Sequence, residues 1–405
     1  MPETPTETVP PVPGFPMPRA AGCPFDPPPG LRSAQREGPL GRVRLWDGKT
    51  YWLVTRYAEQ RALLLDPRVS ADITRPGYPL QAPSGGQNNI SFVLMDDPEH
   101  ARLRRMVTAP FAVKRVEALR PAVQKIVDDL IDDMLAGPGP VDLVEAFALP
   151  VPSLVICALL GVPYDDHDFF QENSRLLVRR DAALEDRQTA HQALIAYLDA
   201  LMGEKMARPG DDLLSGLVDR VRSGELTRLG AAQMGVLLLL AGHETTANMI
   251  ALGTLALLEN PGQLAVLRDT DDPKLVASAV EELLRYLSIV HGGRRRAVLE
   301  DIEIGGQVIR AGEGVVIPND IANRDPEAFP DPDRLDVRRD ARRHVAFGFG
   351  VHQCLGQPLA RMELQVVYGT LYRRVPTLRL AADIDELPFK HDGSVYGLYE
   401  LPVIW

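Results

Sequence analysis

A glycine-rich loop with one cysteine, Phe347-Gly348-Phe349-Gly350-Val351-His352-Gln353-Cys354-Leu355-Gly356, carries the sharpest chemical signal in the sequence. An apolar helical stretch follows it directly. Glycines allow close backbone approach and positive φ. A sulfur at a helix N-terminus meets free N–H groups and the positive dipole end, which favours thiolate. Cys354 is therefore either a soft anionic metal ligand held against a flat cofactor or a plain buried thiol, the usual fate of a lone cysteine. The second signal is Ala241-Gly242-His243-Glu244-Thr245-Thr246 inside an apolar run. Glycine weakens a helix by up to ~1 kcal/mol relative to alanine, and a buried carboxylate needs partners. Local conflict of this kind marks a functional site; the alternatives are a solvated kink or a threonine bonding back to the preceding turn. Glu282 and Arg285, three apart, suit an ion pair on one helix face, and His100 and Arg104, four apart behind Asp97-Pro98, share a face as well.

The elements that must position these groups are mostly helical. The longest runs from about Leu229 to Glu259, roughly 45 Å at ~1.5 Å per residue, and its apolar middle, Val236 to Ala241, is expected to be buried. Val116, Leu119, Val123, Ile126, Leu130 and Met134 recur at helical spacing and are closed by Gly137-Pro138. Similar periodicity recurs around 190–206, 211–222, 274–287 and 357–373. Short apolar runs flank Asp47-Gly48, Gly305-Gly306 and Asp392-Gly393, signals for hairpins. The expected class is mainly α with small β-sheets (α+β), and the sparse strand–helix alternation argues against a doubly wound sheet. Eleven of the 35 prolines fall in the first 30 residues, so that segment is expected to be non-helical and extended, with residues 1–18 a disordered arm.

The 405 residues carry a net charge of −11, a poor match to nucleic acid or an anionic membrane. The longest clean apolar run, Met234 to Gly242, is far short of the ~20 residues a membrane span needs, and Met1 to Pro18 lacks the features of a secretory signal. Three cysteines make no disulfide scaffold. The expectation is a reducing, cytoplasmic setting. Cys157, in an apolar stretch, is assigned to packing, and Cys23 to no role.

Taken together, the motifs resemble the cytochrome P450 family, the haem-thiolate monooxygenases. Phe347, Gly350, Cys354 and Gly356 match its cysteine signature, Glu282-Leu283-Leu284-Arg285 its Glu-x-x-Arg, and Ala241 to Thr246 its oxygen-activation motif. Asn323-Arg324-Asp325-Pro326 through Asp336 matches the segment before the cysteine loop. All four stand in family order. The resemblance extends from about Ala20 to the end and is nearest to the soluble bacterial class, the Streptomyces-type group acting on polyketides, sterol-like molecules and xenobiotics. It implies a single domain over 19–405 with the cytochrome P450 fold, a long central helix lying over haem.

By resemblance, Cys354 ligates the iron of haem b, and Phe347, Gly348, Gly350, Gly356, Ala241 and Gly242 surround the cofactor, with Gly242 making room for O2. His100, Arg104, Arg296 and His352 contact the propionates. Glu244 and Thr245 are the catalytic pair that delivers protons to reduced oxygen. Glu282 and Arg285 join a third cation, in the place of Arg334, as a structural brace. Leu240, Ile289, Val290, Tyr396 and Leu398 contribute to the substrate pocket, with a lid over Ala71 to Leu94 and with Arg179, Arg180 and Arg187. The implied reaction is hydroxylation or epoxidation of a bulky lipophile such as a macrolide, with electrons from NAD(P)H through ferredoxin reductase and ferredoxin. Arg105 and the cluster Arg338, Arg339, Arg342 and Arg343 either dock the acidic ferredoxin or form a solvated charge run. No nucleic-acid or membrane partner is expected, and the family points to a monomer. The alternatives are a haem-thiolate nitric oxide reductase, disfavoured by the acid at Glu244, and a non-catalytic haem sensor or carrier, disfavoured by the intact acid–alcohol pair. Arg294 and Arg295 receive no role.

Overall fold

One helix, Arg228–Leu258, runs through the middle of the molecule. The structure, a computed structural model, describes residues 12–20, 22–80, 91–178, 182–391 and 395–405. The Ser84–Asn89 part of the expected lid, Arg179, Arg180 and the Asp392-Gly393 turn lie outside them. The Thr227 hydroxyl caps the central helix by accepting from Gly230 N at 2.9 Å. Most of its 31 residues are buried on every side, as an apolar core helix requires. By length and composition this helix is long and apolar enough to cross a membrane, beyond the short Met234–Gly242 run; 72% of its apolar stretch is buried inside the molecule.

Two further helices hold the chemistry in place. Pro273–Leu287, which carries Glu282 and Arg285, starts at Asp272, whose side chain accepts from Lys274 N. It ends at Ser288, whose φ of +39° is unusual for a residue with a side chain. Hydrogen bonds from Asn323 Nδ2 to Ser288 Oγ, 2.7 Å, and from Ser288 Oγ to Arg285 O, 3.1 Å, fix that turn. The helix Gln357–Arg374 follows the cysteine loop and packs on Val113–Ala136, the helix anticipated from the Val116 to Met134 periodicity.

Among the described residues there are ten short strands: β1 (Leu40–Arg44), β2 (Thr50–Val54), β3 (Val69–Ser70), β4 (Val141–Asp142), β5 (Arg294–Val298), β6 (Ile302–Ile304), β7 (Gln307–Ile309), β8 (Gly314–Ile317), β9 (Arg379–Leu380) and β10 (Pro402–Ile404). They form a five-stranded sheet in the order β1-β2-β8-β5-β3, a three-stranded sheet β4-β10-β9 and the hairpin β6-β7. The two hairpins expected around Asp47-Gly48 and Gly305-Gly306 are present as β1-β2 and β6-β7. In the larger sheet β5 runs antiparallel to β8, pairing Arg294 with Ile317 and Arg296 with Val315.

Three expectations need correction. Residues 12–18 are not loose: Phe15 N–H bonds to Arg44 O at 2.9 Å, and Phe15 and Met17 are buried against the sheet. Prolines leave such a strand-like arm available for packing because φ near −65° suits extended chain. A helix begins within the proline-rich start, at Pro29, where a proline is tolerated in the first turn. The periodic stretch 211–222 is two short helices, Leu213–Gly216 and Val218–Arg222, not one.

Candidate active site

The cysteine loop is braced from three sides. Glu282 and Arg285 are fully buried and joined by two hydrogen bonds, of 2.7 and 2.8 Å. Arg285 also donates to Asn323 O and Pro332 O. The third cation is Arg339, whose Nε donates to Glu282 Oε1 at 3.1 Å; Arg334 contributes only its carbonyl oxygen. The expectation of Arg334 is thus corrected, and Arg339 is withdrawn from the solvent-facing basic cluster. The neighbouring Glu281 accepts from Arg361 Nε at 2.6 Å and bonds His344 Nε2 at 3.1 Å, while Arg361 lies over the Phe347 ring at 4.6 Å. Burial, the largest influence on Glu281, works to raise its carboxyl, but His344 and Arg361 together hold it below its ordinary value. Asn319 Nδ2 and Asn323 Oδ1 take up both polar groups of the Val345 backbone.

Within the loop, Gly348 and Gly350 have φ of +75°. A Cβ on Gly350 would lie 2.2 Å from Leu64 O, a backbone atom that cannot yield. Cys354 N–H bonds to Phe347 O at 2.8 Å, which closes the loop. Cys354 is exposed by surface area, yet the surrounding protein desolvates it strongly enough to raise its thiol. A residue both deep and exposed borders an internal opening. The Gly356 N–H and the charges of Arg294, Arg104 and Arg361 pull the other way and favour thiolate.

Around this sulfur lies a set of buried donors. The His100 and His352 rings stand 4.1 Å apart. Asp97 Oδ1 holds His100 Nδ1 at 2.9 Å, and His100 Nε2 is buried with no hydrogen-bond partner. His352 Nδ1 is likewise buried and unpartnered. Burial, with the charge of Arg296, pushes His352 down to about 3. Arg104 Nη2 donates to Gln353 O, which ties its helix to the cysteine loop. Arg296 is buried, bonded to Arg295 O, and lowered by burial. Arg294 was missed. Strand period two puts it on the same face of β5 as Arg296 and Arg295 on the other. Burial and the charge of Arg296 push it down to about 10; its Nη1 has no partner, and it lies against Gly348. The alternation of Arg294 and Arg296 in a strand was the available signal. Unpartnered buried donors clustered near a thiol need an anion to complete them. A flat dianionic cofactor with a soft metal fits this donor set.

The central helix supplies the other wall. Gln233, Leu237, Leu240, Ala241, Gly242 and Thr245 keep surface open in an otherwise buried stretch. Their spacing of three and four is one helix face, so that face borders an internal space. Ala241 is its most open member and Thr245 lies one turn on. Gly242 is partly open as well, and a Cβ there would be in ordinary van der Waals contact with Ile156 of the helix Pro150–Leu160, at 3.4 Å. The Thr245 hydroxyl donates to Ala241 O at 2.7 Å, the back-bond weighed above. Glu244 and Thr245 do not bond each other, since consecutive residues point ~100° apart around a helix. Glu244 is buried, and its Oε1 accepts from Asn248 Nδ2 and from Lys390 Nζ, each at 2.9 Å. Neither partner was foreseen. Asn248 stands at the readable spacing i+4, whereas Lys390 is brought in only by tertiary structure.

The expected pocket residues divide. Leu240 and Val290 are partly open, Ile289 is nearly covered, and Leu398 is fully buried in the core, so it lines no open surface. Tyr396 is buried too, with Arg19 stacked 4.0 Å over its ring. It thus stands under the N-terminal arm, beside a cavity of about 870 Å³ lined by Met17, Arg19, His291, Phe389 and His391 among others. None of the cysteine-loop residues lines that cavity. Arg187 is exposed. Arg105, Arg338, Arg342 and Arg343 lie on the surface, with Arg342 paired to Asp340. Next to the cysteine loop, Leu65 and Val351 are 61% and 60% exposed.

Comparison with known proteins gives a consistent answer. The family model described as Cytochrome P450 matches residues 35–375. The chain is 60% identical over 399 residues to cytochrome P450 GfsF of Streptomyces halstedii, covering 97% of this chain and 96% of that protein. It is 46% identical over 391 residues to the 20-oxo-5-O-mycaminosyltylactone 23-monooxygenase of Streptomyces fradiae, covering 96% and 92%. The crystal structure of GfsF superposes with a TM-score of 0.94 over 97% of this chain and 100% of that one. The mycinamicin VIII C21 methyl hydroxylase MycCI of Micromonospora griseorubida, bound to mycinamicin VIII, superposes with a TM-score of 0.89 at 44% identity, covering 97% and 100%.

Proposed function

The chain belongs to the cytochrome P450 family, as a bacterial monooxygenase of the Streptomyces type, and on that premise we propose that it oxidises a macrolide or related polyketide with electrons from a ferredoxin, in the cytoplasm and as a monomer. Two relatives whose names specify mycinamicin VIII and a mycaminosyltylactone support the substrate class. The observation that carries the catalytic reading is Cys354, deep in the protein yet exposed to an internal opening, with His100 Nε2, His352 Nδ1 and Arg294 Nη1 buried and unpartnered around it.

Cys354 would hold the iron of haem b, with His100, Arg104, Arg294, Arg296 and His352 holding its two carboxylates. Phe347, Gly348, Gly350 and Gly356 would lie on the cysteine side, and Ala241 on the other. Bound there, the cofactor supplies O2 activation assisted by electron donation from the thiolate. The chain's own part is to place substrate and move protons. One oxygen atom enters the substrate and the other leaves as water, which takes two electrons and two protons. The Thr245 hydroxyl, its proton engaged by Ala241 O, keeps lone pairs to accept from water at the open helix face. Glu244 carries protons to that face. Leu240 and Val290 offer apolar contact to a lipophile. The exposed Arg105, Arg338, Arg342 and Arg343, with exposed Leu65 and Val351 at the cysteine loop, suit a weak docking face for an acidic electron donor.

The test is turnover with ferredoxin, ferredoxin reductase, NAD(P)H and a panel of macrolides. The expected result is substrate-dependent NAD(P)H consumption with a product one oxygen atom heavier. Consumption of NADH driven by nitric oxide without ferredoxin, and no oxidised macrolide, would contradict it.

A further inference from the structure

The cavity under the N-terminal arm is separate from the opening beside Cys354. Its volume of about 870 Å³ is that of a small-molecule site. Leu240, Ala241, Thr245 and Val290 do not line it, nor does Cys354. Met17, Leu387 and Phe389 give it apolar walls, Arg19 is its buried cation, and Asp385 lies at its exposed rim. Tyr396 stands behind the walls at the centre of an aromatic cluster. The Phe389 ring lies 5.9 Å away with its plane 7° from that of Tyr396, and the His291 and His391 rings are each 5.9 Å away. Arg19 covers the outer face of Tyr396 at 4.0 Å. Mostly apolar walls around one convergent charge are how sites for small amphipathic molecules are built.

Arg19 is under-bonded for a group so deep. Its side chain is 2% exposed, and only Nη1 is engaged, donating to Asp26 O. Nε and Nη2 have no hydrogen-bond partner. These two nitrogens form one edge of the planar guanidinium, and such an edge takes both oxygens of a carboxylate. The nearest side-chain carboxylate among the described residues, Asp320 Oδ2, is 3.9 Å from Nη2, beyond hydrogen-bond reach, and is itself buried without a partner. Burial pushes the Asp320 carboxyl up to about 6, against the opposing pull of the Arg19 charge. Asp320 thus supplies part of the charge Arg19 needs and none of the bonds. A buried guanidinium short of acceptors is costly, and the cavity that Arg19 lines has room for what is missing. We propose that this cavity is a second ligand site, for a small organic carboxylate whose acid group lies on the Nε–Nη2 edge of Arg19 and whose apolar body lies between Met17, Leu387 and Phe389. Asp385 at the rim is screened by solvent and weighs less than the buried cation. The site does not depend on the monooxygenase reading.

The probe is 4-phenylbutyrate, with 4-phenylbutanol as its neutral counterpart. Each is titrated calorimetrically into holoprotein saturated with 4-phenylimidazole, which fills the haem side and whose absorption spectrum reports any displacement. Wild type should bind phenylbutyrate with the spectrum unchanged, and phenylbutanol about tenfold more weakly. Arg19→Met should lower the phenylbutyrate affinity about tenfold and leave that of phenylbutanol as it was. Asp320→Asn removes the competing carboxylate and should tighten phenylbutyrate alone. Leu387→Ala should weaken both probes, because it removes contact with the shared apolar body. Thermal unfolding shows that each variant is folded, and phenylbutyrate should raise the midpoint of wild type but not of Arg19→Met. No binding to wild type would mean that Arg19 serves Asp320 alone and overturns the inference. So does binding that Arg19→Met leaves unchanged, or binding that proceeds only by displacing phenylimidazole.

Discussion

The two walls of the internal opening are built differently. On the cysteine side, every polar side chain of the brace has partners from other elements: Glu282 with Arg285 and Arg339, Glu281 with Arg361 and His344, Val345 with Asn319 and Asn323. On the central-helix side, Thr245 bonds only within its own helix, and Glu244 is held across the molecule by Lys390 alone. A metal ligand must stay in one geometry, so redundant bonds serve it. On the proposed reading of Glu244 as a proton carrier, which must make and break its bonds each cycle, a single partner from outside its helix serves it better than a redundant set. The contrast makes the cysteine side a redundantly bonded frame and the helix side one with few bonds to other elements.

The largest effect should come from breaking the frame. Arg285→Met leaves the Glu282 carboxylate buried with its main partner gone, a change worth ~3–5 kcal/mol. The holoprotein should be lost or melt far below wild type in a thermal scan. Arg334→Ala sharpens the point, because only its carbonyl takes part; it should melt like wild type.

The next effect belongs to the helix side. Thr245→Ala removes a back-bond that weakly disfavours the helix, so stability should hardly change. Product per NAD(P)H should fall about tenfold, with hydrogen peroxide appearing instead. Unaltered coupling would remove Thr245 from the proton path.

Smaller still is the outer surface of the frame. Arg342→Glu with Arg343→Glu should raise the ferredoxin KM several-fold and change its salt dependence, with kcat held, since exposed charges act on encounter and are screened by salt. Steady-state kinetics at two ionic strengths measures this.

The last effect is a slope in pH. Glu363, on the helix after the cysteine loop, is buried, which pushes its carboxyl up to about 8, and its Oε2 has no partner. The folded state therefore binds its proton more tightly than the unfolded chain does. That contribution is complete below the ordinary carboxylate range and is lost as pH rises through about 8. Glu363→Gln should flatten the decline of the melting midpoint between pH 5 and 8.

How much of this could be read from the chain follows from the range of each signal. The cysteine loop, the Glu282–Arg285 pair and the central helix are local patterns, and the structure has them where the residues pointed. Arg339 displaced Arg334 because several arginines follow Glu282 in sequence, and only folding decides which one turns inward. Arg294 was hidden in a run of three arginines, though strand alternation pairs it with Arg296. Leu398 and Tyr396 looked like pocket residues and are buried, since an apolar turn near a pocket also packs the core. Lys390 had no local signal at all: a lone lysine after an aromatic residue reads as surface, and its partner lies across the molecule.

The central claim is that Cys354 is a thiolate ligand held by a redundantly bonded frame. The most direct measurement is the absorption spectrum of the purified holoprotein, reduced with dithionite and exposed to carbon monoxide, beside Cys354→Ala. The expected result is a strongly red-shifted Soret band in the wild type that disappears in the variant. A histidine-type band in the wild type, or a band that survives loss of Cys354, would contradict the account.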